Sequence, residues 1–118
     1  MAGFDLSKAV DALLKFRRER DWEQFHTPKN LSMSIAIECA ELMEHFQWKK
    51  DSEVQGYLQT GEAEKVKEEI ADIAAYLLLL CSDLDIDLSQ AILDKVEKNG
   101  QKYPVEKSRG RHNKYDRL

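Results

Sequence analysis

Apolar positions along this chain recur at three- and four-residue intervals, and strand-like alternation is absent. The spacing predicts helices throughout. A first helix spans about 6–20, with Asp5 as N-cap, Val10, Leu13 and Leu14 on its apolar side, and basic charge from Arg17 to Arg20 at its end. A loop from Asp21 to Pro28 leads to a second helix over about 30–48. Its apolar stripe is Leu31, Ile35, Cys39, Leu42 and Phe46, and the neighbouring stripe is Ser34, Glu38, Glu41 and His45. Those acids therefore border the core. A polar connector, 49–61, has room for one short helix around 53–58. The third long helix, about 62–83, begins charged and turns apolar nearly all round from Ile70 to Cys81. A single small bundle cannot easily cover such a helix, which predicts a second subunit over its spare face. Asp87 and Gln90 form a capping-box pair for a fourth helix over about 88–99, which Gly100 ends. Tyr103-Pro104 then opens an irregular basic tail carrying Lys107, Arg109, Arg111, Lys114 and Arg117. The expected fold class is all-α, a four-helix core bundle.

A chain of 118 residues is expected to form one domain, here 1–105, followed by the basic tail 106–118. Charges make up 34% of the chain but are mixed in sign, with a net of −4, which argues against stable nucleic-acid binding. The apolar run from Ile73 to Cys81 is too short to span a bilayer, so no membrane partner is expected. Met1 to Asp11 lacks the basic start and apolar run of a signal peptide, so the expected location is cytoplasmic. Cys39 and Cys81 read as small, reduced core residues.

Candidate chemistry lies in the acids. Glu38 and Glu41, and again Glu69 and Asp72, stand three residues apart on helices, so each pair shares a face. From 22 acids in 118 residues about four such pairs arise by chance, and the chain has four, so spacing alone carries no signal. Surroundings distinguish them. The first two pairs sit in apolar stretches, whereas Asp94 and Glu97 lie among lysines on a solvated face. If the two helices pack side by side, four carboxylates converge and require a cation.

Other site chemistries are missing. Glu41 to His45 has the wrong spacing for a ferritin-like di-iron pair, Cys/His clusters for zinc are absent, and no glycine-rich phosphate loop or signature nucleophile occurs. An all-carboxylate cation site remains, and its natural partner is a polyphosphate on Mg²⁺, with Mn²⁺ able to substitute. Such a site neutralises a leaving phosphate and orients water, and Glu41 is the first choice for the carboxylate that takes the water's proton.

At this point the chain resembles a known family. Glu38-x-x-Glu41, a 27-residue spacer and Glu69-x-x-Asp72 look like the metal signature of the all-α, MazG-like nucleoside triphosphate pyrophosphohydrolases. Arg20-Asp21-Trp22-Glu23-Gln24-Phe25-His26 with Pro28, Asn30 and Leu31 is similar to the dCTP pyrophosphatase branch, as are Phe46-Gln47-Trp48-Lys49 and Asn99 with Tyr103-Pro104. The resemblance implies conversion of a (deoxy)nucleoside triphosphate to the monophosphate and pyrophosphate with Mg²⁺, in a homo-dimer or dimer of dimers. It implies Glu38, Glu41, Glu69 and Asp72 as metal ligands and catalytic residues, with Glu44 as an outer ligand. Trp22, His26, Trp48 and Tyr76 match positions near base and sugar, and Asn99, Lys102 and Tyr103 match a region that contacts the nucleotide.

Each position also has a plainer reading. Trp22 with Phe25 can form a satellite cluster under the loop, Trp48 can be a half-buried anchor, His26 can cap the next helix, and Tyr76 can be core. The tail is either flexible or closes over phosphates of a neighbouring site through Arg109, Arg111 and Lys114. One departure matters: the branch often carries a histidine where this chain has Leu13, nine residues before Trp22. Losing a polar group near the base loosens discrimination, which predicts dCTP, dATP or a modified pyrimidine as substrates. An all-α dUTPase-like diphosphohydrolase and a non-enzymatic nucleotide-binding regulatory module are the rival readings.

Overall fold

The computed structural model describes residues 5–118. They form α1 (Ser7–Glu19), α2 (Pro28–Phe46), α3 (Asp51–Tyr57), α4 (Glu62–Asp83), α5 (Leu88–Lys102), α6 (Val105–Ser108) and a 3-10 turn at Tyr115–Arg117. No strand occurs among the described residues, and the fold is all-α as expected. The chain divides into two compact units, Met1–Leu84 and Asp85–Leu118. Residues 1–4 of the expected 1–105 domain lie outside the described residues.

In the first unit α2 packs along α4, and α1 also packs against α4. Among the described residues Leu31, Val66, Leu79 and Cys81 are the buried apolar side chains, and Cys39 is half-buried; both cysteines are free. Burying Leu31, 1% exposed, contributes about 2 kcal/mol. Arg17 is buried too, where its guanidinium donates a fork of hydrogen bonds to both Asp83 oxygens at 2.8 and 2.7 Å. That pair ties the end of α1 to the end of α4. It also holds the Asp83 carboxyl below the usual carboxylate range, because Arg17 donates to the charged form.

Helix ends differ from the sequence expectation in instructive ways. The N-cap of α1 is Leu6, not Asp5, yet Asp5 Oδ1 still accepts from the backbone N–H and the hydroxyl of Ser7, at 3.1 and 2.8 Å. α2 starts two residues earlier than expected: Thr27 caps it by accepting from the Asn30 N–H, and Pro28 takes the first helical position, where no N–H is needed. His26 is therefore not the cap. α1, α2 and α4 are each followed, after the C-cap residue, by a non-glycine in the left-handed region: Asp21 (φ 53), Trp48 (φ 69) and Asp85 (φ 54). At α1 this makes a Schellman closure, with Asp21 N–H donating to Arg18 O and Trp22 N–H to Arg17 O, both at 3.1 Å.

The second unit holds α5, the tail helix and the 3-10 turn. Asp87 accepts from the Gln90 N–H at 3.1 Å, while the Gln90 amide donates onward to Asp94 rather than back. α5 runs through Gly100 to Lys102, because an isolated glycine costs only about 1 kcal/mol in a helix and Pro104 supplies the firmer stop. The tail is not irregular throughout. Gly110, at φ 75, turns the chain after α6, and within this unit Tyr115 packs edge-on against Tyr103 with Lys102 over its ring.

Candidate active site

Because α2 lies along α4, three of the four expected acids meet. Glu38, Glu41 and Glu69 each offer an oxygen within 4.8 Å of the others. Asp72, one turn after Glu69, is exposed and is not part of that group of three. Its charge still raises the Glu38 and Glu69 carboxyls and the Tyr76 phenol. Burial is the main cause pushing Glu38 up to about 7, followed by the carboxyls of Glu41 and Glu69 beside it. Glu69 is raised by burial first and then by Glu41.

Two buried oxygens, Glu38 Oε2 and Glu69 Oε2, have no hydrogen-bond partner. A buried carboxylate oxygen without a donor is costly unless a cation meets it. Crowded acids, orphaned oxygens and an all-oxygen donor set together fit a hard divalent cation and not a thiophilic one. The residues can hold a metal.

The acids border two cavities of opposite character. Asp72 lines the first, of about 670 Å³, together with Leu13, Trp22, His26 and Tyr76 and with apolar residues of α1 and α4. Trp22 is placed there by the Schellman closure, edge-on to Phe16 at 5.7 Å, so it is both the helix's hydrophobic stop and a cavity wall. Ring centroids step from Trp22 to His26 at 6.1 Å and from His26 to Tyr76 at 6.2 Å. Burial, and then the Arg17 charge, hold His26 below its usual pKa, so its ring is neutral at pH 7. His26 Nδ1 is buried without a partner. Burial also keeps the Tyr76 phenol protonated.

Glu41 and Glu69 line the second cavity, of about 440 Å³, with Glu44, His45, Lys49 and Tyr57. The Tyr57 hydroxyl lies 2.6 Å from His45 Nδ1, and His45 Nε2 stands 4.0 Å from Glu69 Oε1. Lys49 donates from Nζ to His45 O at 2.7 Å and sits 4.3 Å above the Tyr57 ring. Sequence reading missed Lys49 and Tyr57 as site residues. The available signal was His45, one turn after Glu41 on the acidic stripe.

Other expected residues lie elsewhere. Trp48 is 92% exposed and does not line the aromatic cavity. Asn99, Lys102 and Tyr103 end α5 in the second unit, where Asn99 O accepts from the Tyr103 N–H at 2.8 Å.

The chain is similar to known proteins in sequence and in fold. The MazG-like family profile matches residues 33–118. The dCTP pyrophosphatase 1 of Rattus norvegicus is 43% identical over 106 residues, covering 88% of this chain, and that of Homo sapiens is 41% identical over the same length. The chain spans 62% of the length of these curated relatives. A crystal structure of a pyrophosphatase from Archaeoglobus fulgidus superposes with a TM-score of 0.79 at 44% identity, covering 88% of this chain and 96% of that one.

Proposed function

This chain belongs to the MazG-like family, and from that premise we propose that it is a nucleoside triphosphate pyrophosphohydrolase acting on dCTP and related or modified deoxynucleotides. Water adds across the anhydride between the α and β phosphorus atoms, and the products are the monophosphate and pyrophosphate. The observation that carries this reading is a cluster of three carboxylates, two of them with an orphaned buried oxygen, beside an aromatic cavity that Asp72 lines. Glu38, Glu41, Glu69 and Asp72 would hold Mg²⁺, or Mn²⁺ in its place. When bound, that cation neutralises phosphate oxygens and the charge growing on the leaving pyrophosphate. Glu41 is the exposed member of the group of three, so it is open to water and accepts its proton.

In the aromatic cavity, Trp22, His26 and Tyr76 offer ring faces and edges to the base, and stacking is worth about 1–3 kcal/mol per base. Leu13 supports a relaxed choice of base, because an apolar wall rejects analogues weakly. Trp48, Asn99, Lys102 and Tyr103 are further candidates for contact with a nucleotide in this reading, and 106–118 is the basic tail. The functional form is a homo-dimer or a dimer of dimers, acting in the cytoplasm. No described helix is long and apolar enough to cross a membrane.

A panel of ribo- and deoxynucleoside tri- and diphosphates, with Mg²⁺ and with chelator, tests the activity. Expected are pyrophosphate release from dCTP, slower turnover of ribonucleotides, and no turnover with chelator. Orthophosphate release, or hydrolysis of diphosphates alone, would refute it. Leu13→His should narrow the panel toward dCTP, and an unchanged panel would remove Leu13 from the specificity argument.

A further inference from the structure

The second cavity is built around a half-buried cation, Lys49. After α2 ends, Trp48 takes the left-handed φ of 69, a conformation that is strained for a bulky residue. That turn leaves the indole exposed and brings Lys49 back beneath the helix end, over Tyr57 and beside the acids. α3 exists locally to deliver Tyr57, its last residue, to His45 and Lys49. The result is a set of donors next to the carboxylates: an ammonium, a phenol hydroxyl and an imidazole.

A nucleoside triphosphate is polarised in the same sense as the two cavities. A base held in the aromatic cavity bordered by Asp72 would leave the phosphate chain to cross the acids toward the cavity bordered by Glu41 and Glu69. We propose that the cavity formed by His45, Lys49 and Tyr57 receives the terminal phosphates and holds the pyrophosphate product before release. The inference rests on the activity proposed above. Lys49 supplies charge-assisted hydrogen bonds to phosphate oxygens, and Tyr57 fixes His45 and keeps its ring beneath the ammonium. Glu41, Glu44 and Glu69 outnumber the one lysine, so the cavity alone repels anions. Pyrophosphate therefore enters only together with a divalent cation.

Product inhibition and calorimetric titration of pyrophosphate, each with and without Mg²⁺, test this. In Lys49→Met the pyrophosphate constant should weaken roughly tenfold, while inhibition by dCMP stays unchanged. Lys49→Arg should retain most of the affinity, and Tyr57→Phe should give an intermediate loss. Without Mg²⁺ no variant should bind pyrophosphate. The plainer role of Lys49 is to cap the α2 carbonyl of His45. A Lys49→Met protein with lowered Tm and unaltered pyrophosphate affinity would assign only that role and overturn the proposal. Wild-type protein that releases no pyrophosphate from any triphosphate would instead sink the activity beneath it.

Discussion

Glu38 sits where its carboxyl is more comfortable protonated than charged, and this gives the metal-free protein a signature in pH. The folded chain holds that proton up to about 7, above the ordinary 4.5, so folding is favoured at low pH. The advantage disappears as pH rises from about 4.5 to about 7, and Glu69 shifts in the same direction. Thermal melts in chelator should therefore show falling stability across that window. Glu38→Gln should flatten the fall and match or exceed the wild-type Tm at pH 8, while lowering Mg²⁺-supported turnover by roughly a hundredfold or more. Near-wild-type turnover in that variant would mean the carboxylates do not hold a catalytic cation. Sequence alone could rank these acids only by their neighbours. Spacing marks Glu41/Glu44 and Asp94/Glu97 equally, and only the packing of α2 on α4 leaves Glu38 and Glu69 with orphaned oxygens.

At the scale of the element, the helix interiors carry the acids while the helix ends position Trp22 and Lys49, and these ends were the least legible parts of the sequence. Apolar periodicity gives α4 its full extent, Glu62–Asp83, because a long amphipathic pattern has only one consistent reading. No glycine marks the stops after α1, α2 and α4. Asp21, Trp48 and Asp85 occupy the left-handed position instead, so the usual signal is missing where Trp22 and Lys49 are aimed. The same region is braced by Arg17 and Asp83, which lie 66 positions apart in sequence and showed no pattern to read. Asp83→Asn leaves the buried guanidinium without its counter-charge. It should cost about 2 kcal/mol in denaturant melts, less than a fully buried pair because Asp83 remains partly exposed. Its pH dependence has the opposite sign to that of Glu38. The Asp83 carboxyl is lowered, so the bridge adds stability above the ordinary value of 3.8 and loses it as pH falls below. An Asp83→Asn protein as stable as wild type at pH 7 would show that the bridge is a surface ornament.

For the whole molecule, the balance of buried and exposed apolar surface points beyond one chain. The sequence pattern places the spare apolar face on α4 between Ile70 and Cys81, where Ile70 is exposed while Ala71 and Ala74 line the aromatic cavity. It missed a second face on α2: Met33, Ile37 and Met43 are 55%, 57% and 68% exposed, with Ala36 and Ala40 between them. That face lies opposite the stripe that packs on α4, so α2 is apolar on two sides while carrying its acids along a third. Methionine and isoleucine alternating with alanine form a ridge and a shallow groove, which lets a second helix approach closely. Four buried apolar side chains among the described residues are a thin core, and pairing would supply what one chain lacks. Light scattering should give wild-type protein at least twice the mass of a single chain at micromolar concentration. Ile37→Glu would place a charge on this exposed apolar face, and should both halve the mass and lower the Tm. A wild-type monomer, or an Ile37→Glu protein that stays paired, would show that this face of α2 is not the one the second copy covers.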